Sequence, residues 1–276
     1  MSPCLDSRRG WWAISPLAMM PVLAVAGLGI FLIFNGQEAA WRLGPGILLE
    51  MEWLPLNGRF GMAPLILGTL AATVLALATA VPLGVGVALY ASLFASARVR
   101  VFAESLAGLL AGMPSVVIGL WGMTWIVPLA GNSLASAALV LAVMITPTFC
   151  LLALAAFRQV PAESIEAVRA LGVSENALAL SLIRHAWWGL AGAATLAACR
   201  GLGEAVALSM VAGNLGNMPR LLGPVATLTT TLIIEFDGAT GTHRSALFLG
   251  AALVTVLITL VSFAARSAQR RGSGHG

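Results

Sequence analysis

RQVPAESIEAVRALGVSENALALSLIRH, residues 158–185, is the stretch whose reading decides the fold. The chain has 15 basic and 11 acidic residues, and six of those 26 charges, Arg158, Glu163, Glu166, Arg169, Glu175 and Arg184, fall here. Almost everything around it has the composition of lipid-soluble helix. Pro161 suits the first position of a helix, and Gly172 can close that helix in the left-handed conformation. Ser174 can then cap a second helix, with Glu175 near its positive end. Ile165, Val168 and Leu171 recur on one side of the first helix, and Leu178, Leu182 and Ile183 on one side of the second. The pattern predicts two short amphipathic helices meeting at an angle, the cytoplasmic handle of a membrane protein.

Composition sets the class. Of 276 residues, 59% are hydrophobic and 9% charged, and the mean hydropathy is +0.94, values of a polytopic membrane protein rather than of soluble domains. Every basic residue is arginine. The net charge of +4 serves first to orient the spans, and no nucleic-acid partner is expected. Cys4, Cys150 and Cys199 leave an odd count, with two of them in apolar spans, so neither a disulfide, a metal site nor a cofactor is expected.

Outward from the hairpin, the chain predicts six spans: 12–34, 63–94, 106–129, 134–157, 187–213 and 245–265. The first resembles a signal peptide but is too long for one, and is expected to stay as a helix. Residues 35–62 are expected to form a connecting loop. Residues 214–244 form another, with a short re-entrant or interfacial helix over 225–234. With six spans both tails, 1–11 and 267–276, share a side, and residues 12–266 form one transmembrane domain. Ten arginines (8, 9, 98, 100, 158, 169, 184, 266, 270, 271) lie on that side and four (42, 59, 220, 244) on the other, which places both termini and the hairpin in the cytoplasm.

Arg200 and Glu204 stand four apart within the fifth span, on one face of a helix. An ionised side chain at a bilayer centre costs roughly 2.5–3.5 kcal/mol, so lipid is not their neighbour. One reading is a structural pair in which each satisfies the other. The other is an aqueous path in which the planar fork of Arg200 meets an anionic solute while Glu204 holds it. Pro114 and Ser115 interrupt the third span, and a proline there frees backbone groups that need protein or a wet cavity; the choice is between a plain kink and a path in which Ser115 donates to an oxyanion. Pro147, between Thr146 and Thr148, poses the same choice. His185 and His243 are expected as loop or interface residues and His275 in a tail, with Trp11, Trp12, Trp41, Trp187 and Trp188 at span ends.

These elements carry a resemblance. Glu166, Ala167, Val168 and Gly172 resemble the EAA loop of ATP-binding-cassette importer permeases. Arg200, Gly203, Glu204, Met210, Val211, Gly213 and Asn214 are similar to the Arg-x-x-Gly-Glu and Met-Val-x-Gly-Asn elements of Pst-type phosphate permeases. Gly112, Pro114, Ser115, Val116, Val117, Gly119, Leu120, Trp121 and Gly122 resemble the GxPSVVxGLWG element of that family, and Gly241 with 243–248 looks like its C subunit. Two positions depart from the pattern: Val168 replaces the second alanine, and Arg184-His185-Ala186-Trp187 lacks the closing proline.

The resemblance implies an all-helical permease with a type I importer fold in the bacterial inner membrane, moving inorganic phosphate inward. It implies a heterodimer with a second permease subunit, two cytoplasmic ATPase subunits and an extracytoplasmic phosphate-binding protein. The chain has no GxxxxGK[ST] and no lysine to complete one, so ATP hydrolysis is expected in a partner and not here. Glu163, Glu166, Ala167, Arg169 and Gly172 are the expected ATPase-coupling residues, with both apolar stripes buried in the ATPase, and Arg200, Glu204 and Ser115 the expected solute path. Sulfate or molybdate would suit the same arginine. A secondary transporter would be expected to show repeated halves, and an intramembrane enzyme a histidine pair at metal spacing or a Ser/His couple; the spans show none of these.

Overall fold

Helix α6 (Leu134–Arg158) is the axis around which α2, α3, α9 and α10 pack. The computed structural model describes residues 7–272, with side chains described for residues 19–161 and 163–267. Cys4, His275, the side chains of Trp11 and Trp12, and the tails before residue 7 and beyond 272 lie outside the described residues. The helices are α1 (Ser7–Leu43), α2 (Ala63–Leu93), α3 (Ala97–Ala111), α4 (Ser115–Trp125), α5 (Val127–Ala130), α6, α7 (Ala162–Ala170), α8 (Glu175–His185), α9 (Trp187–Leu202), α10 (Val206–Val211), α11 (Leu228–Glu235) and α12 (Gly241–Gly272). Most of α6 is buried within the protein, whereas only about a tenth of the apolar window of α1 is. What its own chain leaves uncovered on α1 is open to lipid or to another subunit.

Close packing against α6 comes from small residues. Ala72, Ala76 and Ala80 of α2 are fully buried at a spacing of four, beside Leu141, Ile145 and Phe149 of α6 in one core. With lipid as apolar as any side chain, such association relies on tight van der Waals contact between backbones. A second core gathers Ala39, Trp53, Phe60, Leu65, Leu228 and Leu247 where α1, α11 and α12 meet. There the Ser245 hydroxyl donates to Asn35 O at 2.8 Å and accepts from Ala39 N at 3.0 Å, taking the place of one rung of the α1 ladder.

The sequence predicts six spans. Among the described residues four single helices are long and apolar enough to cross a bilayer: Met19–Leu43, Ala63–Leu93, Leu134–Arg158 and Gly241–Ser267. The α3 and α4 pair, bent by 91°, is a fifth if it forms one broken span. Pro114, which has no N–H to give, sits at the start of α4, and the turn before it cannot continue. Pro147, by contrast, lies inside an α6 that runs on past it. The predicted span over 187–213 is divided into α9 and α10 at Gly203–Ala205, for a reason given below.

The connection over 35–62 is more than a loop. Helix α1 runs on to Leu43, and a two-stranded hairpin follows, β1 (Trp53–Leu54) and β2 (Arg59–Phe60), with Trp53 opposite Phe60; Glu52 and Arg59 form an ion pair across its base. The helix predicted over 225–234 exists as α11, capped and buried at its start, with Ile233 and Ile234 exposed toward its end. Thr227, fully buried, and Thr230 make a reciprocal capping box. Its preceding loop closes the far end of the bundle: Gly223 O and Leu221 O accept from Leu134 N and Ala135 N, two orphan donors of the first turn of α6.

Candidate functional site

Arg200 occupies the last turn of α9, half-buried, and its Nη2 donates to Ala111 O at 3.3 Å. Ala111 closes α3 just before the bend, so the guanidinium reaches from one interrupted helix to the other. Its Nε is buried without a hydrogen-bond partner, and among the described residues Arg200 makes no ion pair.

Glu204 does not pair with it. The helical spacing that would set the two side chains on one face ends at Leu202. Glu204 Oε1 instead accepts from Ala207 N at 2.9 Å, satisfying one of the orphan donors that open α10, and Glu204 O accepts from Thr229 Oγ1 of α11 at 2.7 Å. One residue thus holds both sides of the break with its own side chain and carbonyl. Ser115 is the first residue of α4 and half-buried; no hydrogen bond joins it to Arg200 or Glu204.

Helix α4, which Ser115 opens, nevertheless packs closely on α10, which Glu204 caps. A Cβ built on Gly119 would lie 2.9 Å from Ala207 Cα and 2.8 Å from Met210 Sδ, so α4 and α10 approach to a distance that only glycine permits. The breaks at 112–114 and 203–205 therefore lie together. Non-helical backbone at membrane depth persists only where protein buries it or water reaches it, and the Arg200 guanidinium, bonded to Ala111 O and without a carboxylate partner, stands beside these breaks.

At the hairpin end, α7 and α8 form as predicted, one residue later at the start, with Pro161 preceding α7. Gly172 adopts φ +67°, the left-handed turn that a side chain would strain, and the Ser174 side chain accepts from Ala177 N. Glu163, Glu166, Ala167, Arg169 and Gly172 are all exposed. The apolar stripes divide differently from expectation. Leu178 and Leu182 are each 3% exposed and Ile165 packs against the same core, whereas Leu171 is 78% exposed. The α8 stripe is committed to this chain, and the corner at Leu171, Gly172 and Val173 is what remains open. Arg158, at the base of the hairpin, pairs with Glu104 of α3, and α3 is tied in turn to α2, where Arg100 Nε donates to Ala91 O at 2.8 Å.

One cluster was not anticipated. At the far end, Trp53 Nε1 donates to Glu235 Oε1 at 3.1 Å and His243 Nε2 lies 2.8 Å from Glu235 Oε2, with Phe60 stacked at 5.7 Å from His243. It pins the 53–60 hairpin to α11 and α12. The one signal in the sequence was an aromatic pair in an otherwise unassigned connection. Among the described residues no three His, Cys, Asp or Glu side chains converge as metal ligands.

Comparison with known proteins bears on the family and the fold. Phosphate transport system permease protein PstC of Haemophilus influenzae is 28% identical over 90% of this chain and 88% of its own. PstC 1 of Mycobacterium tuberculosis is 32% identical over 93% and 90%, and the probable ABC transporter permease protein YqgH of Bacillus subtilis 30% over 86% and 81%. In fold, the chain resembles a chain of the MetNI methionine ABC transporter in an inward-facing conformation, with a TM-score of 0.62, 20% identity and coverage of 80% of this chain and 99% of that one. Residues 80–272 match the family described as binding-protein-dependent transport system inner membrane component. The broken helices, the exposed hairpin and these likenesses lead to one conclusion: the chain belongs to that family of multi-pass ABC importer permeases.

Proposed function

We propose that this chain is a membrane subunit that passes inorganic phosphate into the cell, in a heterodimer with a second permease. Two cytoplasmic ATPase subunits hydrolyse the ATP, and an extracytoplasmic phosphate-binding protein supplies the solute; the chain itself is not an enzyme. The observation that carries this is Arg200, half-buried, free of any carboxylate and set where two helix breaks meet. A guanidinium there offers a planar fork to a tetrahedral oxyanion. Ser115, at the start of α4, supplies a hydroxyl to the same path, and Glu204 shapes the path by holding α10 rather than by neutralising the arginine. The names of the relatives support phosphate over other oxyanions.

The 158–185 hairpin is the ATPase-docking element. Leu171 and Val173 at the Gly172 corner enter the ATPase, ringed by Glu163, Glu166, Ala167 and Arg169. Residues 12–266 form the transmembrane domain of a bacterial inner-membrane protein, and the tails 1–11 and 267–276 lie in the cytoplasm with the hairpin, as the arginine distribution favours. The assembled transporter in vesicles, with the binding protein outside the path and ATP on the ATPase side, should accumulate labelled phosphate and leave sulfate and molybdate behind. Equal uptake of all three would refute the assignment of solute.

A further inference from the structure

A cleft of about 670 Å³ lies apart from Arg200, Glu204 and Ser115. Helix α9 packs against both α6 and α12 and forms its floor, where Gly189, Gly192 and Ala193 keep it shallow; Leu152 and Ala155 of α6 form one wall. Along α9 it runs from Trp188 to Leu196, eight residues or about 12 Å. That is most of the ~15 Å depth of one leaflet of the hydrocarbon core. Its size is in the range of small-molecule sites, and its Leu196 rim is 55% exposed.

The polarity is graded along its length. The part away from the hairpin is lined by Leu152, Gly192, Ala193 and Leu196 with Thr195 and Ser262, whose hydroxyls bond within the protein to Ala191 O and Cys199 Sγ, while the mouth, at the hairpin end, carries Gln159, Trp188 and Arg266. A second cleft of about 280 Å³ shares Gln159, Trp188 and Gly189 and continues to His185. No carboxylate lines either cleft, and among the described residues Arg266 makes no ion pair. The groove is therefore shaped for a molecule with an anionic head at the hairpin end and an apolar tail of leaflet length.

We propose that this groove holds an acidic phospholipid of the cytoplasmic leaflet, its phosphate on Arg266 and Gln159 and an acyl chain along α9. The sidedness rests on the placement of the hairpin in the cytoplasm. Anionic head groups gather at basic pockets between helices on that face, and the complementary charge here is a single free guanidinium over a Gly/Ala floor. A second permease helix would be a poorer occupant, since it would bury Arg266 against an apolar surface.

The test uses the complete transporter in nanodiscs of phosphatidylethanolamine with a minor fraction of phosphatidylglycerol, released into mild detergent. Bound lipid is identified by native mass spectrometry. Phosphatidylglycerol should be retained by the wild type and by R266K, and fall at least five-fold in R266Q and in A155F, which fills one wall. Retention at the wild-type level in both R266Q and A155F would overturn the proposal, as would equal retention of the two lipids. Crosslinking of an Ala155→Cys variant to the second permease subunit in place of lipid would overturn it too. Phosphate uptake is measured separately in the same preparations, so failure of the transport assignment and failure of the lipid site are told apart.

Discussion

Replacing Arg200 by methionine tests whether the side chain is there for the fold or for the solute. An arginine at membrane depth costs roughly 2.5–3.5 kcal/mol. What offsets it here is one hydrogen bond to Ala111 O at 3.3 Å, long for N–H···O and worth about 1 kcal/mol, while Nε has no partner at all. The solute-free protein is therefore destabilised by Arg200 by about 1.5–2.5 kcal/mol, and R200M should raise stability by that amount. Transport should move the other way. A charge-assisted bond to an anion contributes about 1.5–3 kcal/mol, so uptake of labelled phosphate should fall roughly 10- to 150-fold. R200K, which keeps the charge but loses the fork, should lie between. The paired measurement is thermal denaturation of the purified transporter and uptake by the same preparation in vesicles. An R200M protein that is less stable than the wild type, or that takes up phosphate at the wild-type rate, would refute the reasoning.

Three further substitutions probe the surrounding structure. E204A removes the acceptor for Ala207 N and should cost about 1–2 kcal/mol in denaturation, whereas E204Q keeps an oxygen in place and should cost under about 0.5 kcal/mol; equal losses would show that charge, not capping, is what Glu204 contributes. G119V puts a Cβ within 2.9 Å of Ala207 Cα and should cost about 1–3 kcal/mol by overpacking, measured by denaturation, with unchanged stability counting against the close α4 and α10 contact. G172P, which cannot adopt φ +67°, and E166R should leave the protein inserted in the membrane while ATP hydrolysis by the partners no longer drives uptake. Wild-type coupling of hydrolysis to uptake in both would remove the docking role of the hairpin.

Local rules were enough wherever the deciding groups are neighbours in sequence. The α7 and α8 hairpin is of this kind: Gly172 supplies the left-handed turn and Ser174 the cap within three residues of each other, and both were legible before any fold was known. The apolar runs of α1, α2, α6 and α12 were equally plain, because length and composition alone fix what can cross a bilayer. Family membership could be read from motifs that keep their spacing whatever the tertiary structure does.

Other features depended on partners far along the chain. Arg200 and Glu204 keep helical spacing in the sequence, yet the helix stops between them because the Glu204 carboxylate takes Ala207 N and its carbonyl takes Thr229 Oγ1 from 25 residues away. The 53–60 hairpin reads as loop until Glu235, 182 residues on, accepts from the Trp53 indole. The α8 stripe looks free to meet a partner until the end of α6 and Ile165 cover it. Sequence alone determined which segments are lipid-soluble and where the hairpin turns, since both follow from side chains and dihedrals within a few residues. Only the tertiary structure decided which polar groups are satisfied and which, like Arg200, are left open, because a buried donor or acceptor is bonded by whatever the fold brings within about 3 Å of it.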